Sequence, residues 1–317
     1  MEGRNGFARI RRRMLETVAY IASSGRTGST LLDLLLSRHQ DVIGVGEVHR
    51  LSEYARDPSL GSCACGAKVT ECPFWRSALI ALRNRLSKPE LDWQSWPTTV
   101  LRSGRLEIRD LLAASGARSL WIAGGILLSS IARYRSVMRN SWTLYETLCE
   151  LTGTRVLVDS TKDGGRLKGL YYEDPKRLRI VLQVRDGRAV AASQIHREGV
   201  TMADAARSWL VRYRRLDAAL RGIPGEKILY SRYEDLCLNP SAELQRIYKF
   251  LHIPDQDVVV DFKKELAHNI GGNPMLSRRT ETDIRLDESW RTKLSPSDLE
   301  VFERVGGKKN RAFGYND

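Results

Sequence analysis

The chain has 317 residues, 42% of them hydrophobic and 28% charged, which is typical of one large globular domain. Its formal net charge of +13 predicts a protein that handles anions. No apolar run approaches the roughly 20 residues of a membrane span, and no nucleic-acid motif accompanies the basic residues, so we expect neither a transmembrane segment nor a nucleic-acid partner. The basic stretch Arg9–Met14 leads directly into the first predicted strand, unlike a signal peptide, which predicts a cytoplasmic protein.

The first predicted unit is a buried strand, a glycine-containing turn and a helix. Val18–Ile21 are the strand, Ser23–Gly28 the turn, and Ser29–Ser37 a helix with leucines at helical spacing. Amide groups at such a helix start converge on an anion, which predicts a phosphate-binding loop. Aligned with the nucleoside-triphosphate motif G-x-x-x-x-G-K-[ST], the loop has Ser29 in place of the lysine that contacts the β- and γ-phosphates. It therefore suits a ligand with a single 5′-phosphate, and Arg26 supplies the positive charge.

This loop resembles the 5′-phosphosulfate loop of sulfotransferases that use 3′-phosphoadenosine 5′-phosphosulfate (PAPS). The resemblance implies an α/β, P-loop-like fold of three layers with a mainly parallel sheet and a helical insertion. It also implies that PAPS is the co-substrate and that no metal is required, because arginine and lysine do what magnesium does for a triphosphate. The implied 5′-phosphate contacts come from the loop: Ser24, Gly25, Arg26, Thr27, Gly28, Ser29 and Thr30.

The candidate base follows the first helix. Sulfuryl transfer to a hydroxyl needs a group that takes the proton of the acceptor. Glu47 lies 21 residues after Arg26, at the end of a predicted second strand. Protein-tyrosine and several carbohydrate or bacterial sulfotransferases resemble this arrangement, which implies that Glu47 is the base. His49 is the competing candidate.

Residues 51–150 are predicted to be a mostly helical insertion within a single domain, 1–317. The insertion contains three clustered cysteines, Cys63, Cys65 and Cys72. A structural zinc site normally has four ligands, and His49 becomes a fourth one if the fold brings it close. A local disulfide and reduced, packed thiols are the alternatives.

Strand-turn-helix units near residues 155–172, 178–198 and 227–251 predict that the parallel sheet continues. Lys162 follows one of these strands, at the position where a lysine of the resembling family helps to hold the phosphosulfate. Arg26 and Lys162 are therefore predicted to neutralise the leaving group.

The strand Ile180–Val184 is followed by an arginine and, eight residues later, a serine on a helix. This pair resembles the 3′-phosphate site of the same family, which implies that Arg185 and Ser193, together with Arg197, bind the 3′-phosphate.

Further cofactor contacts are implied by two later segments. Tyr233 follows another strand in a Tyr-Glu-Asp sequence, and Gly271, Gly272 and Asn273 belong to a segment that resembles the one folding over the nucleotide. The acceptor stays open among small molecules, carbohydrates, lipids and peptides, as does the oligomeric state. A small-molecule kinase of the P-loop type and a noncatalytic anion-binding protein are the alternative functions.

Overall fold

The structure is a computed structural model that describes residues 14–98, 119–257, 267–272 and 284–316, with the backbone alone for residues 119–130. Its centre is a five-stranded sheet in which each neighbouring pair is parallel and the strand order is β2-β3-β1-β4-β5. The strands are β1 Thr17–Ala22, β2 Val42–Gly44, β3 Val156–Asp159, β4 Leu178–Val184 and β5 Ile228–Arg232.

Helices cover both faces of this sheet. In chain order they are α1 Ser29–Leu36, α2 Leu51–Arg56, α3 Pro73–Leu86, α4 Ser119–Thr152, α5 Gly164–Glu173, α6 Gly187–Glu198, α7 Met202–Leu220, α8 Tyr233–Leu238, α9 Pro240–Leu251, α10 Trp290–Lys293, α11 Pro296–Phe302 and α12 Lys308–Ala312. Short 3₁₀ segments occur at Val48–Arg50, Pro58–Leu60 and Gly225–Lys227, and a π-helical turn at Glu303–Gly307. Within the described ranges, no helix is both long and apolar enough to cross a membrane.

Strands β1, β3 and β4 are largely buried on both sides because each side packs on a helical layer. On β1, Val18 and Tyr20 belong to one core cluster, whereas Ala19 and Ile21 belong to the other. Successive side chains of a strand point to opposite faces, so the two clusters lie on opposite faces of the sheet. The predicted three-layer α/β class is therefore confirmed.

The described part of the 51–150 segment is helical, in α2, α3 and α4. Its aromatic residues Trp75, Trp93 and Trp142 share one core cluster with Val18 of the central strand. They therefore pack with the sheet rather than around a core of their own. The single-domain organisation over 1–317 stays a prediction, since residues 99–118 lie outside the described part of the chain.

Candidate active site

Predicted site residues follow the carboxyl end of each of the five strands. Because the strands are parallel, these ends meet at one edge of the sheet, which is where open α/β sheets bind ligands. The order β2-β3-β1-β4-β5 places the phosphate loop after the central strand. Residues separated by up to about two hundred positions in the sequence thus meet around this loop: Glu47 after β2, Lys162 after β3, Ser24–Thr30 after β1, Arg185 after β4 and Tyr233 after β5.

The phosphate loop joins β1 to α1 through three residues with positive φ. Gly25 and Gly28 have φ of 82° and 78°, a region that glycine enters without a steric penalty. Arg26 has φ of 59°, which is uncommon for a residue with a Cβ. Two changes to the left-handed region within four residues turn the chain sharply before α1 begins at Ser29.

Two arginines from other elements hold this loop. Nη1 of Arg185 donates a hydrogen bond to the carbonyl of Arg26 at 3.2 Å, and Nη1 of Arg212, on α7, donates to the carbonyl of Ser24 at 2.6 Å. Sequence reasoning missed Arg212, which is one of several arginines on an amphipathic helix and follows no strand. The signal that it belongs to the site is tertiary: a Cβ at Gly25 would come within 3.0 Å of its guanidinium.

Tyr233 lies between the loop and Arg185. A Cβ at Gly28 would collide with the Tyr233 ring, so glycine is required there by this close approach as well as by its φ. The guanidinium carbon of Arg185 is 4.4 Å from the ring centroid, a cation–π distance. Within the described part of the chain, Nε of Arg185 and the hydroxyl of Thr27 are buried without a hydrogen-bond partner. Both groups can therefore donate a hydrogen bond to a bound ligand.

Arg185 also contacts the C-terminal region. Its Nη2 donates to the carbonyl of Asp287 at 2.8 Å and to the Asp287 carboxylate at 3.1 Å. The pKa of Asp287 is lowered: burial raises it, but hydrogen bonds from Ser289 and Arg185 outweigh burial. The carboxylate therefore holds a position on Arg185 that a phosphate oxygen would also suit.

The other predicted 3′-phosphate contacts lie on α6, which begins two residues after Arg185. Ser193 is half-buried in the middle of this helix, and Arg197 is exposed near its end. Their roles stay predictions.

Glu47 and Lys162 form an ion pair between the ends of β2 and β3. Nζ of Lys162 lies 2.6 Å from Oε1 of Glu47, and each side chain is 18% exposed. The amide of Glu47 donates to the carbonyl of Ile270 at 2.6 Å. The predicted base and one predicted cation are thus in direct contact.

The segment 267–272 covers this pair and the start of α1. A Cβ at Gly271 would lie 3.2 Å from Cβ of Glu47, and one at Gly272 would lie 3.0 Å from Cγ2 of Thr30. The structure thus brings Gly271 to the candidate base and Gly272 to Thr30 of the phosphate loop. Asn273 lies outside the described residues.

The guanidinium of Arg26 forms an ion pair with Glu198, at the end of α6. The Nη2–Oε1 distance is 3.5 Å, and the two side chains are 32% and 44% exposed. An exposed pair of this kind contributes little free energy and exchanges easily for another anion. Its predicted catalytic role stays a prediction.

His49 lies beside Thr161, with 3.2 Å between Nδ1 and Oγ1 of the threonine. Burial, and then the positive charge of Arg166, lowers the pKa of His49 to about 4. The imidazole is therefore neutral near pH 7.

Asp33 is a buried residue of the site region that sequence reasoning missed. Its Oδ2 accepts from the Ser160 hydroxyl at 2.6 Å and from the Gly46 amide at 3.1 Å, and its Oδ1 accepts from Nδ2 of Asn269 at 2.9 Å. It thereby joins α1 to the ends of β2 and β3 and to the segment 267–272. Burial raises its pKa to about 7, against the lowering effect of the hydrogen bonds from Ser160 and Asn269. An acidic residue inside the run Leu31–Leu36 was the available signal.

Comparisons with known proteins agree with this geometry. Residues 176–257, from just before β4 to just after α9, match the sulfotransferase family. The match covers about a quarter of the chain, and this part is similar to sulfotransferases. The matched segment contains Arg185, Ser193, Arg197 and Tyr233, whereas the phosphate loop, Glu47 and Lys162 lie outside it. The predicted identification as a sulfotransferase enzyme is confirmed.

The fold is that of solved sulfotransferases. The sulfotransferase domain of the olefin synthase of Synechococcus PCC 7002 is 18% identical, over 97% of this chain and 98% of that chain, with a TM-score of 0.56. The sulfotransferase domain of the curacin biosynthetic pathway is 17% identical, over 92% and 97% of the two chains, with a TM-score of 0.50. A mouse sulfotransferase in complex with 3′-phosphoadenosine 5′-phosphate (PAP) is 11% identical, over 95% of this chain and 89% of that chain, with a TM-score of 0.45. No curated protein sequence matches this chain.

Proposed function

We propose that this sulfotransferase moves a sulfuryl group from PAPS to an acceptor hydroxyl, or to an amine, with Glu47 as the base. One contact carries the proposal: Arg185, the predicted 3′-phosphate ligand, donates a hydrogen bond to the carbonyl of Arg26 within the predicted 5′-phosphate loop. Two anion-binding elements that touch each other suit a nucleotide with phosphates on both its 3′ and 5′ positions.

In this proposal the loop amides, Ser29 and Thr30 bind the 5′-phosphate. The positive φ values of Gly25, Arg26 and Gly28 turn the amides toward the start of α1, and the helix dipole adds to their attraction for an anion. Ser29 in place of the triphosphate-binding lysine favours a single phosphate at this position.

The 3′-phosphate would take the position on Arg185 that Asp287 holds, with Ser193 and Arg197 as further contacts. A guanidinium fork binds a phosphate in the same bidentate manner as it binds a carboxylate. The Tyr233 ring, 4.4 Å from the guanidinium carbon, holds this side chain in place.

The transfer is an in-line displacement. The acceptor oxygen attacks sulfur, the bond between sulfur and the bridging oxygen of the 5′-phosphate breaks, and the electron pair of that bond leaves with 3′-phosphoadenosine 5′-phosphate (PAP). Glu47 takes the acceptor proton, while Lys162 and Arg26 stabilise the charge that develops on the leaving phosphate. The contact of Lys162 with Glu47, at 2.6 Å, supports a site in which the base and a cation act side by side. Glu47 is preferred to His49 because it contacts Lys162, whereas His49 lies beside Thr161.

The two alternative functions make different demands on the site. A kinase would need the lysine that Ser29 replaces and a carboxylate for magnesium. An anion-binding protein without activity would keep the loop but has no need of the buried pair of Glu47 and Lys162.

An acceptor screen tests the proposal. The protein is incubated with a cell extract and either sulfur-labelled PAPS or γ-phosphate-labelled ATP, and the labelled products are identified by mass spectrometry. We expect a sulfated product with PAPS and no phosphorylated product with ATP. Transfer of phosphate from ATP would favour the kinase, and tight PAP binding without transfer in extracts of several origins would favour the binding protein. The acceptor class and the cytoplasmic location stay predictions.

A further inference from the structure

Three cysteines and a histidine converge beside the active-site edge of the sheet. Their ligand atoms, the sulfurs of Cys63, Cys65 and Cys72 and a ring nitrogen of His268, all lie within 4.8 Å of one another. The sulfur of Cys72 is 3.6 Å from that of Cys63 and 3.7 Å from that of Cys65. Nδ1 of His268 is 3.3 Å from the sulfur of Cys72 and 3.6 Å from that of Cys63.

These separations are those of a tetrahedral zinc site. With zinc–sulfur bonds of about 2.3 Å and zinc–nitrogen bonds of about 2.0 to 2.1 Å, tetrahedral ligands lie about 3.8 Å apart for sulfur pairs and about 3.5 Å apart for sulfur and nitrogen. The observed sulfur–sulfur distances of 3.6 and 3.7 Å and sulfur–nitrogen distances of 3.3 and 3.6 Å are close to these values. Three sulfurs and one imidazole form one of the ligand sets of structural zinc, and four protein ligands leave no open position for chemistry.

The surroundings hold each ligand in this arrangement. Phe74 stacks on the His268 ring with centroids 4.9 Å apart and 9° between the planes, and the Trp75 indole donates to the His268 carbonyl at 3.0 Å. Cys72 immediately precedes α3, so the start of this helix fixes its position. The amide of Cys63 donates to the carbonyl of Ala67 at 3.0 Å, which closes a tight turn around Cys65. All five cysteines of the chain are free thiols in the structure, so no disulfide competes for these sulfurs.

The fourth ligand, His268, could not be predicted from the sequence. His49, the residue first suggested as the fourth ligand, instead lies against Thr161. His268 is 196 positions after Cys72, and a single distant histidine has no spacing signal.

The cluster is connected to the active site by the residues after His268. Asn269 donates its side chain to Asp33 and accepts at its carbonyl from the Ala64 amide, at 2.9 Å in both cases. Ile270 forms bridges to Cys63 on one side and Gly46 on the other, and its carbonyl accepts from Glu47. One residue, Asn269, therefore separates His268 from Ile270, the residue whose carbonyl accepts from the amide of the candidate base.

We propose that Cys63, Cys65, Cys72 and His268 bind one structural zinc ion, which fastens the segment 267–272 over the active site. The metal takes no part in the sulfuryl transfer. It fixes the backbone around Ile270, and through it the placement of Glu47 and of Gly271 and Gly272 against the phosphate loop. The proposal concerns metal content and therefore stands or falls independently of the reaction.

The test measures metal in the full-length protein purified without chelators from zinc-containing medium. We expect about one zinc per chain by elemental mass spectrometry. Cys65→Ser and His268→Gln should each weaken zinc retention against a competing chelator by at least about tenfold, since each removes one ligand. Cys149→Ala is the matched control, because Cys149 is a buried thiol outside the cluster, and it should retain zinc like the unaltered chain.

Cobalt replacement on the unaltered chain decides the matter if the variants fail to fold. Cobalt(II) bound by three thiolates and an imidazole should show sulfur-to-cobalt charge-transfer bands and the intense visible bands of a tetrahedral complex. A chain that contains no zinc and takes up no cobalt in this form, with three titratable thiols or a disulfide at these positions, would overturn the proposal. So would loss of zinc from Cys149→Ala equal to that from Cys65→Ser.

Discussion

Nζ of Lys162 lies 2.6 Å from Oε1 of Glu47, and this ion pair joins the carboxyl ends of two neighbouring parallel strands. Both side chains are mostly buried, and Lys162 has φ of 70°, an uncommon value for a residue other than glycine. Such backbone conformations persist where the surrounding structure holds them, and they cluster at functional sites. The pair is therefore the centre of the proposed reaction.

Removal of the positive charge of Lys162 should depress turnover strongly. Lys162→Ala is expected to lower kcat on the order of a hundredfold or more, because one preorganised charge contact to the leaving group is lost. Arg26→Ala should have an effect of the same order. Turnover is measured at saturating PAPS, and folding is checked by thermal unfolding. Lys168→Ala, on α5, is the control and should leave turnover unchanged. A folded Lys162→Ala or Arg26→Ala enzyme with near-normal turnover would remove that residue from the mechanism.

The second phosphate of the nucleotide should be recognised by Arg185. PAP at about a hundred times its dissociation constant should stabilise the protein by about 2.7 kcal/mol, and AMP at the same concentration far less. In Arg185→Gln this preference should largely disappear. Arg179→Gln, near the opposite end of the same strand, is the control. Thermal shifts measure both ligands; equal shifts from AMP and PAP in the unaltered protein would remove the basis for a 3′-phosphate site.

Asp287 should compete with the nucleotide for Arg185. Asp287→Asn keeps the size of the side chain and removes its charge. PAP should therefore bind roughly twofold to fivefold more tightly, as expected for loss of an ion pair that is exposed on the Asp287 side and worth up to about 1 kcal/mol. Calorimetric titration measures the change. Weaker PAP binding in this variant would mean that Asp287 supports the site rather than competes with the ligand.

Asp33 should make stability depend on pH. Burial raises its pKa from 3.8 to about 7. Between these values the unfolded chain has released the proton that the native state keeps, so the free energy of unfolding falls as pH rises and levels off above about pH 7. Relative to Asp33→Asn, which carries no such proton, the unaltered protein should lose on the order of 2 kcal/mol from about pH 5 to about pH 8. Urea unfolding of both proteins checks this; a constant difference between them would show that the native pKa of Asp33 is ordinary.

The parts of the site that carry local signals were predictable from the sequence. The apolar run and the glycines of residues 18–28 specify a strand and a turn through short-range preferences, and β1 and α1 begin and end within one residue of the prediction. The polar residues after β3 and β4 were predictable for the same reason, because each follows a buried apolar run, whereas Tyr233 follows a strand that is mostly half-buried. Strand β4 begins at Leu178, two residues before the predicted start.

Residues whose partners are distant in sequence were not predictable in this way. Asp33 contacts Asn269, and Arg212 contacts Ser24, across 236 and 188 positions. An acidic residue within a run of leucines marks Asp33 as unusual but does not indicate its partners, and nothing in the local pattern distinguishes Arg212 from a surface arginine. Likewise, the contact of Lys162 with Glu47 depends on the neighbouring order of β2 and β3, which is a property of the sheet rather than of either segment.

The most direct test of the central claim is the single-turnover rate of sulfuryl transfer with a working acceptor. Single-turnover conditions are needed because slow product release would hide a loss in the chemical step. Glu47→Gln keeps the size of the side chain and removes the proton acceptor, so it should lower this rate by roughly a hundredfold to ten-thousandfold while PAP affinity changes little. His49→Gln should do much less. Abolished transfer in His49→Gln together with an unchanged rate in Glu47→Gln would contradict the account and move the base to the histidine.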